Sequence, residues 1–213
     1  MGKLVLATAL ALCLGACESA YYGVQEQFGV LKNDILVDRV QDTMKAQEDA
    51  KEEFKDAFAQ FEAVVGVPES ELKSVYGRLN SAFEDAEDKA GVVSARIESV
   101  EDVAEDLFDE WQDELQQISN ASLRNKSAAQ RKSSQRKYGG LIKAMKRAES
   151  RMEPVLNSFR DHVLFLKHNL NARAIASLEG ELGGIQSDVG RLIEEMERSI
   201  AEAQSFINSM ETG

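Results

Sequence analysis

Apolar residues recur along this chain at alternating steps of three and four, in four long blocks separated by turn-forming residues. That spacing puts them on one face of an α-helix. The first block reads Val37, Val40, Met44, Gln47, Phe54, Phe58, Phe61 and Val65, with one blank turn. Asn33 or Asp34 can cap its start by accepting from exposed amides, and Gly66-Val67-Pro68 ends it. The second reads Leu72, Tyr76, Leu79, Phe83, Ala86, Ala90, Val93, Ile97, Val100, Ala104, Leu107, Trp111, Leu115 and Ile118. It predicts a helix of about 49 residues, roughly 74 Å long. Sustained heptads over that distance mark coiled-coil-like packing.

After Ser119-Asn120-Ala121-Ser122 a third helix is weakly apolar until Tyr138 and then continues through Leu141, Met145, Ala148, Met152, Val155, Phe159, His162 or Val163, Leu166 and Leu170. Pro154 opposes a continuous helix by about 3 kcal/mol, and Ser150 followed by Glu153 has the form of a capping box for a fresh start. The apolar phase is unbroken across the proline, which favours one kinked helix. Gly139-Gly140 is a second weak point, a hinge or a place of close packing. The chain turns again between His168 and Asn171, with Asn169 or Asn171 as cap. The fourth stripe is Ile175, Leu178, Leu182, Ile185, Val189, Leu192, Met196, Ile200, Ala203 and Ile207. Gly180, Gly183, Gly184 and Gly190 flank it and are expected to admit a neighbouring backbone.

The expected fold is therefore all-α: an elongated antiparallel bundle of four long coiled-coil-like helices with a protruding two-helix tip. Strand-like alternation of Val, Ile and Tyr is absent from the sequence. Because the four stripes differ in length, helix one covers helix two only as far as Asp102, and helix four covers helix three only from Lys132 onward. Residues 103–131 are left over as a hairpin about 24 Å long, at the end where helix one begins.

Charge singles out this hairpin. From Glu98 through Glu114 every charged residue is acidic, and from Arg124 through Lys137 every one is basic. Acids at a helix C-terminus and bases at an N-terminus oppose the macrodipole by a few tenths to about 1 kcal/mol each. Folding the arms together would set an acidic flank against a basic one and offset that conflict. Asp106, Glu110, Trp111, Arg124, Lys126, Arg131 and Lys132 form the candidate partner surface. A solvated pair of complementary flanks is the plainer reading, since exposed ion pairs contribute only about 0 to 1 kcal/mol.

Composition narrows the function classes. A formal charge of −12 argues against general nucleic-acid binding. Both cysteines, Cys13 and Cys17, lie near the N-terminus, so the helical body has no disulfide, thiolate nucleophile or zinc-thiolate site. His162 and His168 are six apart on one helix, about 240 degrees round, and cannot share a metal. No nucleophile motif, phosphate-binding glycine loop or isolated carboxylate pair occurs. No catalytic residue, cofactor site or metal site is expected, and the chain does not read as an enzyme.

Residues 1–16 carry Lys3, an apolar run and then small residues, the layout of a secretory signal too short to span a bilayer. The run Leu14-Gly15-Ala16-Cys17 resembles the lipobox of bacterial lipoproteins. That resemblance implies cleavage after Ala16, lipid on the Cys17 thiol and an acylated amino terminus, and Glu18 after the cysteine implies delivery to the outer membrane. Residues 17–32 form a tether whose Tyr21 and Tyr22 sit at the headgroup boundary or pack on the bundle, and whose Val24, Phe28 and Leu31 can cover Leu107, Trp111 and Leu115. Residues 33–213 form one helical domain.

The segments NDILVDRV (residues 33–40), SNASLR (119–124) and RMEPVLNSFRDHVLFLKHNLNARAIASLEGEL (151–182) resemble the bacterial lipoprotein family catalogued as domain of unknown function 2959. The resemblance covers nearly the whole mature chain and implies a lipoprotein with long helices, without an activity, ligand or catalytic residue. The expected function is a non-catalytic, lipid-anchored cell-envelope protein, on the periplasmic face of the outer membrane. It would act as spacer, scaffold or docking module for an envelope partner at the tip. An amphipathic carrier of lipid or another apolar ligand is the alternative, and self-association through the tip into a homo-oligomer is a third possibility.

Overall fold

The computed structural model describes residues 32–65 and 67–211. The expected signal segment, Cys17, residues 17–31 of the expected tether and its proposed cover of the tip lie outside those residues, and Lys32, placed last in the tether, opens α1 instead. Four helices make up nearly all of the rest: α1 (Lys32–Val65), α2 (Leu72–Gln117), α3 (Ala121–His168) and α4 (Ala172–Glu211), with a 3₁₀ turn at Glu69–Glu71. At 1.5 Å per residue α2 and α3 run for about 70 Å.

Each helix packs against two others, α1 on α2 and α4, α3 on α2 and α4. Successive helices run antiparallel around a shared core. Two strict heptad rows account for its α1 side. Leu36, Thr43, Ala50, Ala57 and Val64 form one, Val40, Gln47, Phe54 and Phe61 the other, and all nine are buried. A helix touching two neighbours needs a stripe wider than a single seam. For that reason Val75, Ala82, Val103 and Phe108 join the expected row on α2. Val37, Met44, Phe58 and Val65, expected at the centre of the α1 seam, sit half-buried on its flank instead. On α4 the fully buried position is Ser199, with Ile200 displaced to the edge.

The turns use the chemistry the sequence offers. Asn120 caps α3, its side-chain oxygen accepting from Ser122 N at 2.9 Å and Leu123 N at 3.1 Å. Asn171 caps α4 in the same way, accepting from Arg173 N and Ala174 N, both at 3.1 Å. Asn169 closes α3 by donating to the Phe165 carbonyl at 2.9 Å. Asn33 lies inside the first turn of α1, so it is not the residue before the helix that a cap requires.

Helix α3 passes through Pro154 without a break. Ser150 does not cap a new helix, because its hydroxyl donates back to the Arg147 carbonyl at 2.9 Å. The glycines overturn the expectation of close packing. Gly180, Gly183, Gly184 and Gly190 are exposed, and a Cβ added at any of them meets nothing within 4 Å. The same holds for Gly139 and Gly140. Flanking residues of an amphipathic helix turn outward once the apolar stripe is inward, so these positions face water.

Candidate functional site

The tip lies beyond the described ends of α1 and α4, Lys32 and Glu211. Thr43 Oγ1 lies 3.3 Å from the Arg96 carbonyl, and this antiparallel register sets Lys32 level with Leu107. Side chains lean toward a helix N-terminus, and Lys32 Nζ reaches one turn beyond, to Glu110 Oε2 at 3.0 Å. On the other side Lys137 Nζ lies 3.5 Å from the Ser209 carbonyl. Among the described residues the overhang is therefore residues 111–130, about 10 to 15 Å, shorter than residue counting suggests because α1 reaches Glu110, about two turns beyond Asp102. Among the described residues of the tip, Leu115 is the buried one and Leu123 is 57% exposed.

Two contacts close the hairpin. Trp111 Nε1 donates to Ser127 Oγ at 2.8 Å, and Arg131 Nε donates to the Phe108 carbonyl at 2.9 Å. Below them the Phe108 and Tyr138 rings pack at 5.7 Å. At the apex Arg124 donates to the Ile118 carbonyl at 3.2 Å. Both guanidinium groups thus bond main-chain oxygens of α2, and Arg124 sits on the exposed carbonyl end of that helix, where a cation is favoured.

These contacts sort the expected partner surface into two kinds. Trp111 and Arg131 are half-buried and hold the arms together, and Glu110 is half-buried and paired with Lys32. Asp106, Lys126 and Lys132 are exposed, as is Arg124 beyond its bond. The ion pairs expected between the arms are not how the tip closes. Among the described residues, no carboxylate of residues 102–114 pairs with a base of α3; the α2–α3 pairs lie lower, Glu101 with Lys146 at 2.8 Å and Glu87 with Arg160 at 2.5 Å. The tip charges project outward because its inward positions are filled by Phe108, Trp111, Leu115, Ser127 and Arg131. Asp109, Asp113 and Glu114 stay on the outside of one arm, Lys132 and Arg136 on the outside of the other.

Electrostatics at the base of the tip follow from this separation. Burial, then the negative charges of Glu101, Glu105 and Asp102, push the Tyr138 phenol up from 10.0 to about 12. The hydrogen bond that Lys146 donates to the Glu101 carboxylate raises the lysine. Elsewhere a surface groove of about 540 Å³ between α2 and α3 is lined by Glu87, Ser94, Lys146 and Glu153 among others. Another of about 610 Å³ lies beside Phe165 and Asn171 at the far end. His162 is a packing residue, edge-on to Phe61 at 5.1 Å with Nδ1 2.6 Å from the Ser158 carbonyl. Among the described residues no group of three or more His, Cys, Asp or Glu could hold a metal ion. No described helix is long and apolar enough to cross a membrane.

Sequence reasoning placed Gln47 in the α1 stripe and missed the polar residue across from it, Ser199. Gln47 and Ser199 are fully buried, at similar heights on facing helices joined by Lys51 and Glu197 at 3.8 Å. Both polar atoms of Gln47 and the Ser199 hydroxyl lack partners. Continuing the strict heptad Leu178, Ile185, Leu192 by seven more residues would have found Ser199.

A family model described as "Protein of unknown function (DUF2959)" matches residues 21–210. Nothing matches among curated proteins or among solved structures.

Proposed function

The chain belongs to the DUF2959 family of proteins of unknown function, and from that premise we propose a non-catalytic, lipid-anchored envelope protein whose helical rod presents the hairpin tip as a docking end. The observation that carries this reading is the overhang of residues 111–130 beyond Lys32 and Ser209, with its two arms oppositely charged on their outer faces. A closed heptad core supports a rigid rod. The carrier alternative needs helices that part at the flanking glycines, at Pro154 and around Met145, Met152 and Met196. The glycines, however, lie on the solvent face, α3 is continuous through Pro154 and the three methionines fill the core.

The anchor is Cys17, in the lipobox-like run ending there. Several acyl chains, at about 0.8 kcal/mol per buried methylene, give stable attachment. Fourteen residues separate Cys17 from Lys32 and span at most about 50 Å, so the start of α1, beside which the tip begins, lies within that distance of the bilayer. Localisation on the periplasmic face of the outer membrane is part of the proposal.

Two measurements test it. Metabolic labelling with an alkynyl fatty acid should tag the wild type and not a Cys17→Ser variant, which should leave the membrane fraction. A photo-crosslinker at Lys132, exposed and clear of the hairpin contacts, should give a discrete protein adduct in cells. Labelling that is indifferent to Cys17 sinks the anchor, and a tip that yields no adduct sinks the docking end.

A further inference from the structure

We propose that the tip's partner is a second copy of this chain, side by side with the first, so that the acidic face of α2 in each protomer meets the basic face of α3 in the other. This rests on reading the tip as a docking end and names what docks there.

Four observations lead to it. First, the two rows of charge are open. Asp102, Asp106, Asp109 and Asp113, spaced four, three and four along one face of α2, and Lys132 and Arg136, four apart on α3, are all exposed, and among the described residues none of the six is in an ion pair. Second, the rows stand at the same height. The Trp111–Ser127 and Phe108–Arg131 contacts fix the register of the arms, which puts Lys132 level with Asp106 and Arg136 level with Asp102 to within a residue. A half-turn about an axis parallel to the helices then carries the acidic row of one protomer onto the basic row of the other with no sliding. Each contact occurs twice, which is the self-complementarity a closed two-fold interface requires.

Third, the arms cannot satisfy these charges within one chain, because Trp111, Ser127, Phe108 and Arg131 occupy the space between them. Fourth, the balance of signs favours this partner over an anionic bilayer. Phosphate headgroups would attract the basic row and repel the acidic one beside it, whereas a second tip attracts both. The chain as a whole carries −12, so two rods repel along most of their length and meet only where the charge is split. Parallel rods also suit two molecules held by the same membrane. Exposed ion pairs are individually weak, so the dimer is reversible and sensitive to salt, the Debye length falling from about 10 Å at 0.1 M to about 3 Å at 1 M.

The test is a charge exchange on the full-length chain with Cys17→Ser, followed by sedimentation equilibrium at low salt over a range of concentrations. Circular dichroism confirms that each variant keeps its helical content. The parent mass should rise from 23.5 kDa toward twice that value as concentration increases, and should return to the monomer in high salt. The Lys132→Glu/Arg136→Glu variant should stay monomeric, as should the Asp102→Lys/Asp106→Lys variant, and an equimolar mixture of the two should recover the doubled mass. A parent that stays at 23.5 kDa at every concentration overturns the proposal, as does either variant dimerising like the parent. If the parent is monomeric yet Lys132 crosslinks to a different protein in cells, the docking end stands and the second copy falls. A monomeric parent that binds anionic vesicles, and loses them with Lys132→Glu/Arg136→Glu, replaces the second copy with a bilayer.

Discussion

The Trp111 indole N–H donates to the Ser127 hydroxyl at 2.8 Å across the tip hairpin, close to where α1 stops supporting α2. Together with Arg131 on the Phe108 carbonyl, it does locally what the four-helix core does below. Removing it should loosen the tip and leave the rod intact. Ser127→Ala strands a half-buried donor, at a cost of about 1 to 3 kcal/mol. Hydrogen exchange across residues 112–130 should accelerate about fivefold or more, while the main thermal transition scarcely moves. Trp111 is the single tryptophan, so its fluorescence should shift to longer wavelength. Unchanged exchange in that segment would show that the bond does not hold the arms.

Gln47 makes the opposite prediction, a substitution that strengthens the protein. Its side chain is fully buried with neither amide atom paired, and the nearby Thr43 hydroxyl is already engaged by the Arg39 carbonyl at 2.8 Å. An unpaired buried amide costs about 1 to 3 kcal/mol, and Gln47→Leu removes it at similar volume. The urea midpoint should rise with an unchanged slope. Phe54→Ala, in the same heptad row and also fully buried, should lower the unfolding free energy by about 3 to 5 kcal/mol and the midpoint with it. A Gln47→Leu protein that melts earlier than wild type would mean the amide is satisfied, by a bound water for instance.

The number, length and order of the helices were readable because heptad spacing persists far beyond any accidental run, and because Asn120, Pro68 and Asn171 mark the ends. The exact stripe was not. Counting steps of three and four follows the bulkiest residues, whereas the bundle geometry turned Leu36, Ala50 and Ala57 inward and left Val37, Met44 and Phe58 at the edge. Small residues carry little hydrophobic signal, yet they let helices approach. The tip charges were legible as a pattern and not as a geometry. Opposite signs on adjoining arms suggested attraction across the hairpin, but the inward faces belong to Trp111, Ser127 and Arg131, and no propensity argument predicts an indole-to-hydroxyl bond over sixteen residues.

The solvent-facing glycines of α4 give a second stabilising change. Gly183 and Gly184 are exposed with open space where a Cβ would go. Glycine in a helix interior is about 0.8 to 1.0 kcal/mol less favourable than alanine, largely through the entropy of the unfolded chain. The Gly183→Ala/Gly184→Ala pair should therefore add about 2 kcal/mol, visible as a higher melting temperature by circular dichroism. A lower melting temperature would show that these positions meet something that the described residues do not include.

Tyr138 provides the pH dependence. Its ring packs on Phe108 at the base of the tip, where burial first, and then Glu101, Glu105 and Asp102, raise the phenol from 10.0 to about 12. Between those values the unfolded chain has released the proton while the folded protein still holds it. The folded state therefore binds more protons, and stability falls with rising pH. The contribution is complete below pH 10 and is lost as pH climbs through about 12. Lys146, also raised, through its hydrogen bond with Glu101, acts in the same direction at the alkaline end, so the wild-type slope is a sum of two groups. Tyr138→Phe keeps the ring and removes one of them. The urea midpoint of wild type should fall more steeply with alkaline pH than that of Tyr138→Phe, and the tyrosinate absorbance of the native protein should show one late-titrating phenol that the variant lacks. Superimposable pH profiles for the two proteins would mean that the phenol is solvated despite its position, and that the carboxylates of α2 do not face it closely enough to act.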